Sequence, residues 1–283
     1  MPDRWTPYPP ENAEGQHTVT GRVLHAVVPS PQLFNERDVW VYLPRGYGEE
    51  GRRYPVLYMQ DGQNLFDDAT SFSGEWHLDE ALESAPDVPP CIIVGVANAG
   101  ARRLDEYTPF NDARHGGGDG ERYLDFLLET LKPIIEADFA TLADAENTGI
   151  GGSSLGGLLS LYGFFARPDS FGFAAVMSPS IWFADRTSLR WVWHAAECHG
   201  RLYIDVGTAE GRRTVADARR LKRTLQRMGY VEGRNLRYLE VPEAAHNEAA
   251  WGPRFPAALD FLLRESVACE RGQFDDATEA VQG

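Results

Sequence analysis

The sequence predicts an α/β chain: a mostly parallel central sheet, antiparallel strands at its N-terminal side, and helices on both faces. Two observations carry that expectation. From about residue 54 to residue 265, short apolar runs alternate with segments of helical periodicity, the pattern of a parallel sheet covered on both sides. Ahead of them, HTVTGRVLHAVV and RDVWVYLP are rich in β-branched and aromatic residues and are separated only by SPQLFNE, which suits an antiparallel pair.

Residues 1–16 are polar and proline-rich and read as an irregular arm. After the two leading strands, YPVLYMQDG is an apolar run ending in turn residues, as a buried strand should be. WHLDEALES is a short amphipathic helix and CIIVGVANAG a second buried strand. HGGGDG is a loop whose Asp119 suits the N-cap of the next helix, where Tyr123, Phe126, Leu127, Leu131, Ile134 and Ile135 fall at helical spacing. NTGIGG, FGFAAVMSP, RLYIDVG and NLRYLEV read as further strands. The helices between them are LGGLLSLYGFFAR, stopped by Pro168, SLRWVWHAAE, and TVADARRLKRTLQRMGY, closed by Gly229. EAAWGPRFPAALDFLLRES is a last helix with a proline-disturbed start. No linker or repeat interrupts the series, so residues 17–268 form one domain, and 269–283 read as a frayed acidic tail.

Composition bounds the function. With 43% hydrophobic residues in 283, the chain can bury a sizeable core. A formal net charge of -15 argues against nucleic acid or an anionic membrane as the main partner. No apolar run reaches the length of a membrane span, and the N-terminus lacks the basic-then-apolar pattern of a signal peptide. Cys91, Cys198 and Cys269 are far apart and form no CxxC pair, which fits a reducing, cytoplasmic setting. No metal-ligand spacing stands out, and no cofactor is expected.

The chemistry-bearing stretch is GGSSLGG, residues 151–157. It lies between a strand and an apolar helix, so it is no linker. It lacks the lysine of a phosphate-binding GxxxxGK[ST] loop and does not fit GxGxxG. It does fit GxSxG, with Ser154 central. Small residues there permit a sharp strand-to-helix turn that presents a strained serine at a helix N-terminus. A serine hydroxyl needs a base, and the base an orienting acid, in the chain order Ser, acid, His for this kind of turn. His246, in the loop of PEAAHNEAAW between the last strand and last helix, is placed to be the base, whereas His194 and His199 read as core, surface or capping residues. For the acid, Glu210 sits on the loop after YIDVG, Asp205 inside that strand, and Asp217 on the following helix. The oxyanion of an acyl-transfer intermediate would take the amide of Leu155 and one from the loop after YPVLY, where Gly62 allows close approach and the Gln63 amide faces the oxygen.

These segments, together with GEWHLDE, VGVANAGARRLDEYTP and DVGTAEG, resemble the putative esterase family of α/β hydrolases over about residues 18–265. That family includes enterobactin-type siderophore esterases, S-formylglutathione hydrolases, acetyl-xylan and feruloyl esterases and antigen 85 mycolyltransferases. The resemblance implies the α/β-hydrolase fold and a carboxylic-ester hydrolase that works through an acyl enzyme, with small acyl, sugar or aryl esters as substrates. Acyl transfer or thioester hydrolysis by the same residues, and a non-catalytic scaffold, are the alternatives. It implies a triad of Ser154, His246 and Glu210, with glutamate where many relatives have aspartate, and an oxyanion hole from the Gln63 and Leu155 amides. Arg103 and Glu106, in RRLDEYTP, become candidate substrate contacts or an ion pair. Trp76, Trp182 and Trp251 fall near loops that should rim the pocket. A homodimer stays open as an assembly.

Overall fold

The computed structural model describes residues 3–13, 15–195 and 199–264. Cys198, Cys269, the expected helix ends at 196–197 and 265–266, and the tail 269–283 lie outside them. Among the described residues nine strands join in one sheet: Thr6–Tyr8 (β1), Arg22–Ser30 (β2), Asn35–Leu43 (β3), Val56–Gln60 (β4), Ile92–Val96 (β5), Thr148–Ser153 (β6), Phe173–Met177 (β7), Arg201–Gly207 (β8) and Leu236–Val241 (β9). Their spatial order is β1-β2-β3-β5-β4-β6-β7-β8-β9. β1, β2, β3 and β5 pair antiparallel in turn, and every pair from β5 to β9 is parallel. The chain steps from β4 outward to β5, then returns to lay β6 on the other side of β4. Such a reversal opens a crevice at the carboxyl ends of the two strands. The loops after β4 and β6 carry Gln63 and Ser154.

The N-terminal arm corrects the sequence reading. It is not irregular throughout: Thr6 pairs with His25 and Tyr8 with Val23, adding β1 to the sheet. Trp5 explains the docking, because it is buried edge-on against Phe139 at 5.1 Å and its indole N–H donates to Asp138. The Tyr8 hydroxyl donates to Asp67, which also accepts from the Thr18 amide.

The helices are Leu78–Glu83 (α1), Arg103–Glu106 (α2), Gly120–Asp125 (α3), Lys132–Asp138 (α4), Leu155–Ala166 (α5), Phe183–His194 (α6), Arg212–Arg227 (α7), Glu248–Trp251 (α8) and Phe255–Leu263 (α9). A π-helical turn, Phe126–Leu131, joins α3 to α4 and keeps Phe126, Leu127 and Leu131 buried. Alternation along each strand sorts the core into two layers. Val56 and Tyr58 of β4 belong to the layer that holds the buried residues of α3, α5 and α7; Leu57 and Met59 belong to the opposite layer with those of α1 and α9. Asp119 stands before α3, as expected of an N-cap, but its side chain makes no capping bond and pairs with Arg102 at 3.3 Å. The regular part of α6 begins only after Ala184, Asp185 and Arg186, all left-handed.

Acidic residues crowd beneath the arm. Asp79 is buried and accepts the amides of Thr20 and Gly21. Burial, and then the adjoining Asp79 carboxylate, push the neighbouring Glu80 up to about 7 from 4.5. Glu80 therefore holds its proton to higher pH when folded. Its stabilising contribution is fully present below about pH 4.5 and is lost as pH rises through about 7. Glu80→Gln is predicted to raise the melting temperature at pH 8 and change it little at pH 5, in a thermal melt at both pH values. An equal effect at both would contradict this account.

Candidate active site

Ser154 sits where β6 turns into α5, with φ 58 and ψ -119. Such a backbone costs on the order of 1–3 kcal/mol and persists only when its surroundings fix it. They do: the Ser154 amide donates to the Met177 carbonyl at 3.0 Å, and the Ser154 carbonyl accepts from Ser180 at 2.9 Å and from Leu158 at 3.0 Å. The side chain thus projects from the elbow rather than into the core, whereas Ser153 is the last residue of β6 and is buried.

His246 Nε2 lies 2.9 Å from Ser154 Oγ, and His246 Nδ1 lies 2.7 Å from Glu210 Oε2. A carboxylate only accepts, so Nδ1 carries the proton and Nε2 is left to accept from the serine hydroxyl. Glu210 follows β8 in a 3-10 turn, Thr208–Glu210, and its side chain is fully buried. Its other oxygen accepts from Ser178 Oγ at 2.5 Å and from the Gly207 amide at 2.6 Å. Burial alone would raise this carboxyl. The bonds from His246, Ser178 and Gly207 outweigh it and hold the group below the usual glutamate value.

The two carboxylates weighed against Glu210 have other partners. Asp205 is buried in β8, pairs with Arg254 at 3.1 Å, accepts from the Ser178 amide and the Tyr203 hydroxyl, and is pushed up to about 6 by burial. Asp217 is buried between Arg186 and Arg220.

The strand-end loops enclose a cleft of about 330 Å³, walled by Ser154, His246, Gln63, Asn64, Phe72 and Arg103 among others. Gln63 occupies a 3-10 turn after β4, Gly62–Asn64. Gly62 is obligatory for this turn, because a Cβ on it would lie 2.3 Å from the Gly95 carbonyl carbon of β5. The Leu155 amide is the first of α5, a position helices leave without an intrahelical acceptor. Glu248 also lines the cleft, accepts from Asn64 Nδ2 at 3.1 Å, and is raised above the usual value by burial and then by Asp61.

Of the expected substrate contacts and rim tryptophans, Trp251 lines the cleft and so does Arg103. Its guanidinium grips both oxygens of Asp61 at 2.7 Å and lies over the Tyr107 ring, so its charge is already matched. Glu106 is fully buried in an ion pair with Arg37 of β3; it braces α2 against the sheet and does not reach the cleft. Trp76 is a core residue, packed on Trp251 and Phe255 at 5.7 and 6.3 Å. Trp182 is half exposed beside His115 and Phe183, away from the cleft walls. Trp251 is buried edge-on to the His246 ring at 5.0 Å, and its indole N–H donates to Ser178 Oγ at 3.0 Å. Sequence reasoning passed over Ser178 and Ser180, whose hydroxyl lies 3.2 Å from Ser154 Oγ. Their signal was MSPS at the end of β7, the strand between β6 and β8. The HGGGDG loop supplies no wall of the cleft. Among the described residues Glu75, His77 and Glu80 bring three ligand-type atoms within 4.8 Å of one another, but none of them lines the cleft.

The sequence model of the putative esterase family matches residues 30–262. The chain belongs to that family of carboxylic-ester hydrolases, with the α/β-hydrolase fold. It is similar to YbbA of Bacillus subtilis, 28% identical over 242 residues, covering 80% of this chain and 92% of that protein. It is 33% identical over 137 residues to the siderophore triacetylfusarinine C esterase of Aspergillus fumigatus, 46% of this chain and 45% of that one. Among solved structures, the BES protein of Bacillus cereus superposes with a TM-score of 0.69 at 22% identity, covering 89% of this chain and 99% of that one. No described helix is long and apolar enough to cross a membrane.

Ser178→Ala would remove one donor from Glu210 and leave the Trp251 N–H unpaired. The Glu210 titration, followed by carboxyl carbon-13 NMR, is predicted to move upward. A midpoint that stays put would show that Ser178 does not hold the carboxylate.

Proposed function

We propose that Ser154, His246 and Glu210 act as nucleophile, base and orienting acid in ester hydrolysis through an acyl enzyme. Ser154 Oγ forms a bond to the ester carbonyl carbon while His246 Nε2 takes its proton. The carbonyl π pair moves onto oxygen, where the Gln63 and Leu155 amides receive it. Collapse breaks the bond to the alcohol, which leaves with the proton from His246. Water, deprotonated by the same imidazole, then releases the acid and restores the serine. Glu210 stays ionised and stabilises the imidazolium. The observation that carries this reading is the unbroken chain from Ser154 Oγ through His246 to a buried, multiply bonded carboxylate.

Small acyl, sugar or aryl esters are the proposed substrates. Support comes from the cleft's modest size and from relatives named as a siderophore esterase and an endo-1,4-beta-xylanase/feruloyl esterase. A cytoplasmic setting is proposed from the sparse cysteines, of which Cys91 is a buried free thiol.

Hydrolysis of p-nitrophenyl acetate, butyrate and octanoate tests the reading. The protein is predicted to turn over at least one, Ser154→Ala to lose on the order of a thousandfold or more, and Glu210→Ala about as much, by analogy with other triads. A folded protein inert toward all three esters, or a Ser154→Ala protein that keeps its activity, would overturn it.

A further inference from the structure

The acidic groups beneath the N-terminal arm form a cluster that the proposed reaction does not use. Glu75, His77 and Glu80 each bring one ligand-type atom within 4.8 Å of the others. His77 Nδ1 lies 3.2 Å from Glu75 Oε2 and 3.4 Å from Glu80 Oε1. The Asp79 carboxylate abuts that of Glu80 within hydrogen-bonding range. We infer that these four residues form a binding site for one divalent transition-metal ion, with Zn²⁺ as the type, apart from the catalytic cleft.

The unpaired oxygens call for a cation. Glu75 Oε1, Asp79 Oδ1 and Glu80 Oε2 are buried and have no hydrogen-bond partner among the described residues. Asp79 is wholly buried and Glu75 is 3% exposed. Asp79 Oδ2 is taken by the amides of Thr20 and Gly21, so Oδ1 is the oxygen left for the cluster. Ionised carboxylates only accept, so Asp79 and Glu80 cannot satisfy each other. Buried carboxylate oxygens are normally paired with a donor or bound to a metal. Among the described residues no lysine or arginine pairs with Glu75, Asp79 or Glu80, and His77 is their one ion-pair partner. In the metal-free protein a proton on Glu80 relieves part of the repulsion, and the ion would displace it.

The donor set selects the kind of ion. Carboxylates alone would suit Mg²⁺, Ca²⁺ or Mn²⁺, whereas an imidazole nitrogen shifts the preference toward Zn²⁺. Zn²⁺ holds four ligands at roughly 2.0–2.2 Å, which sets neighbouring ligand atoms of a tetrahedron about 3.4 Å apart. The separations from His77 Nδ1 to the two glutamates are of that size. His77 would bind through the Nδ1 lone pair, with its proton on Nε2. Its ring is more than half exposed, which gives an ion a way in from solvent. In sequence the set is the run EWHLDE, residues 75–80, which matches no metal-ligand motif. The ion's role would be structural. Thr18 Oγ donates to Glu75 at 2.6 Å and the Thr20 and Gly21 amides hold Asp79, so the ion would fasten the stretch after the arm to α1.

Full-length protein freed of metal with EDTA, and then of EDTA, is titrated with ZnCl₂ and separately with CaCl₂ by isothermal calorimetry. One equivalent of Zn²⁺ is predicted to bind with a Kd on the order of micromolar or tighter, and Ca²⁺ at least about tenfold more weakly. His77→Gly removes the imidazole and suits the left-handed backbone there, φ 53. Glu80→Gln removes a charge and keeps the shape. Each is predicted to weaken Zn²⁺ on the order of tenfold or more. His115→Ala, which breaks the separate surface pair with Asp112, is predicted to leave the affinity unchanged. Saturating Zn²⁺ is predicted to raise the melting temperature of the wild type and not of His77→Gly. No saturable Zn²⁺ binding, equal affinity for Ca²⁺, or Zn²⁺ binding that survives both His77→Gly and Glu80→Gln would overturn the site.

Discussion

The contact on which the site depends is the hydrogen bond between His246 and Glu210. It joins loops from two neighbouring parallel strands, β8 and β9, and it forms only because those loops almost touch. Gly207 makes the approach possible: a Cβ there would lie 2.1 Å from the Ala244 carbonyl oxygen. The same closeness lets the Ala209 amide donate to that oxygen at 3.1 Å and the Glu243 amide bond to Thr208. Glu210 is then buried with an acceptor site filled by each of three donors. Such a carboxylate cannot wander, and it fixes both the tautomer and the tilt of the imidazole. Trp251 stands edge-on to the ring and reaches Ser178 behind it, so α8 supports the histidine and its acid together.

The serine arrives from the other side of the sheet reversal. β6 lies between β4 and β7, and the elbow after it is tied to the β7 flank. Met177 and Ser180, around the end of β7, bond the Ser154 backbone. The turn after β4 places Gln63 across the cleft. The strained backbone at Ser154 is thus offset by ordinary hydrogen bonds of the strand beside it, and strand order does much of the positioning.

Much of this was legible in the chain because it is local. A glycine-bracketed serine between a strand and a helix, a loop carboxylate after a later strand, and a histidine before the last helix each show within a few residues. The alternation of apolar runs and helical periods gave the parallel sheet for the same reason. Long-range pairing was not legible. Glu106 finds Arg37 across 69 residues, so its burial leaves no mark beside it in the sequence. Trp76 and Trp251 look alike as aromatics near loops, yet one only packs and the other also bonds Ser178. Asp205 and Glu210 stand five residues apart, and what separates them is Arg254, far along the chain. The polar, proline-rich arm hid a strand held by the side chains of Trp5 and Tyr8.

Fluorophosphonate labelling followed by peptide mass mapping tests the central claim most directly, because it reports the reactive atom without requiring a known substrate. The account predicts one adduct, on Ser154 and not Ser153, that forms at least a hundredfold more slowly in His246→Ala. An adduct on Ser153, or a Ser154 adduct whose rate is indifferent to His246, would contradict it.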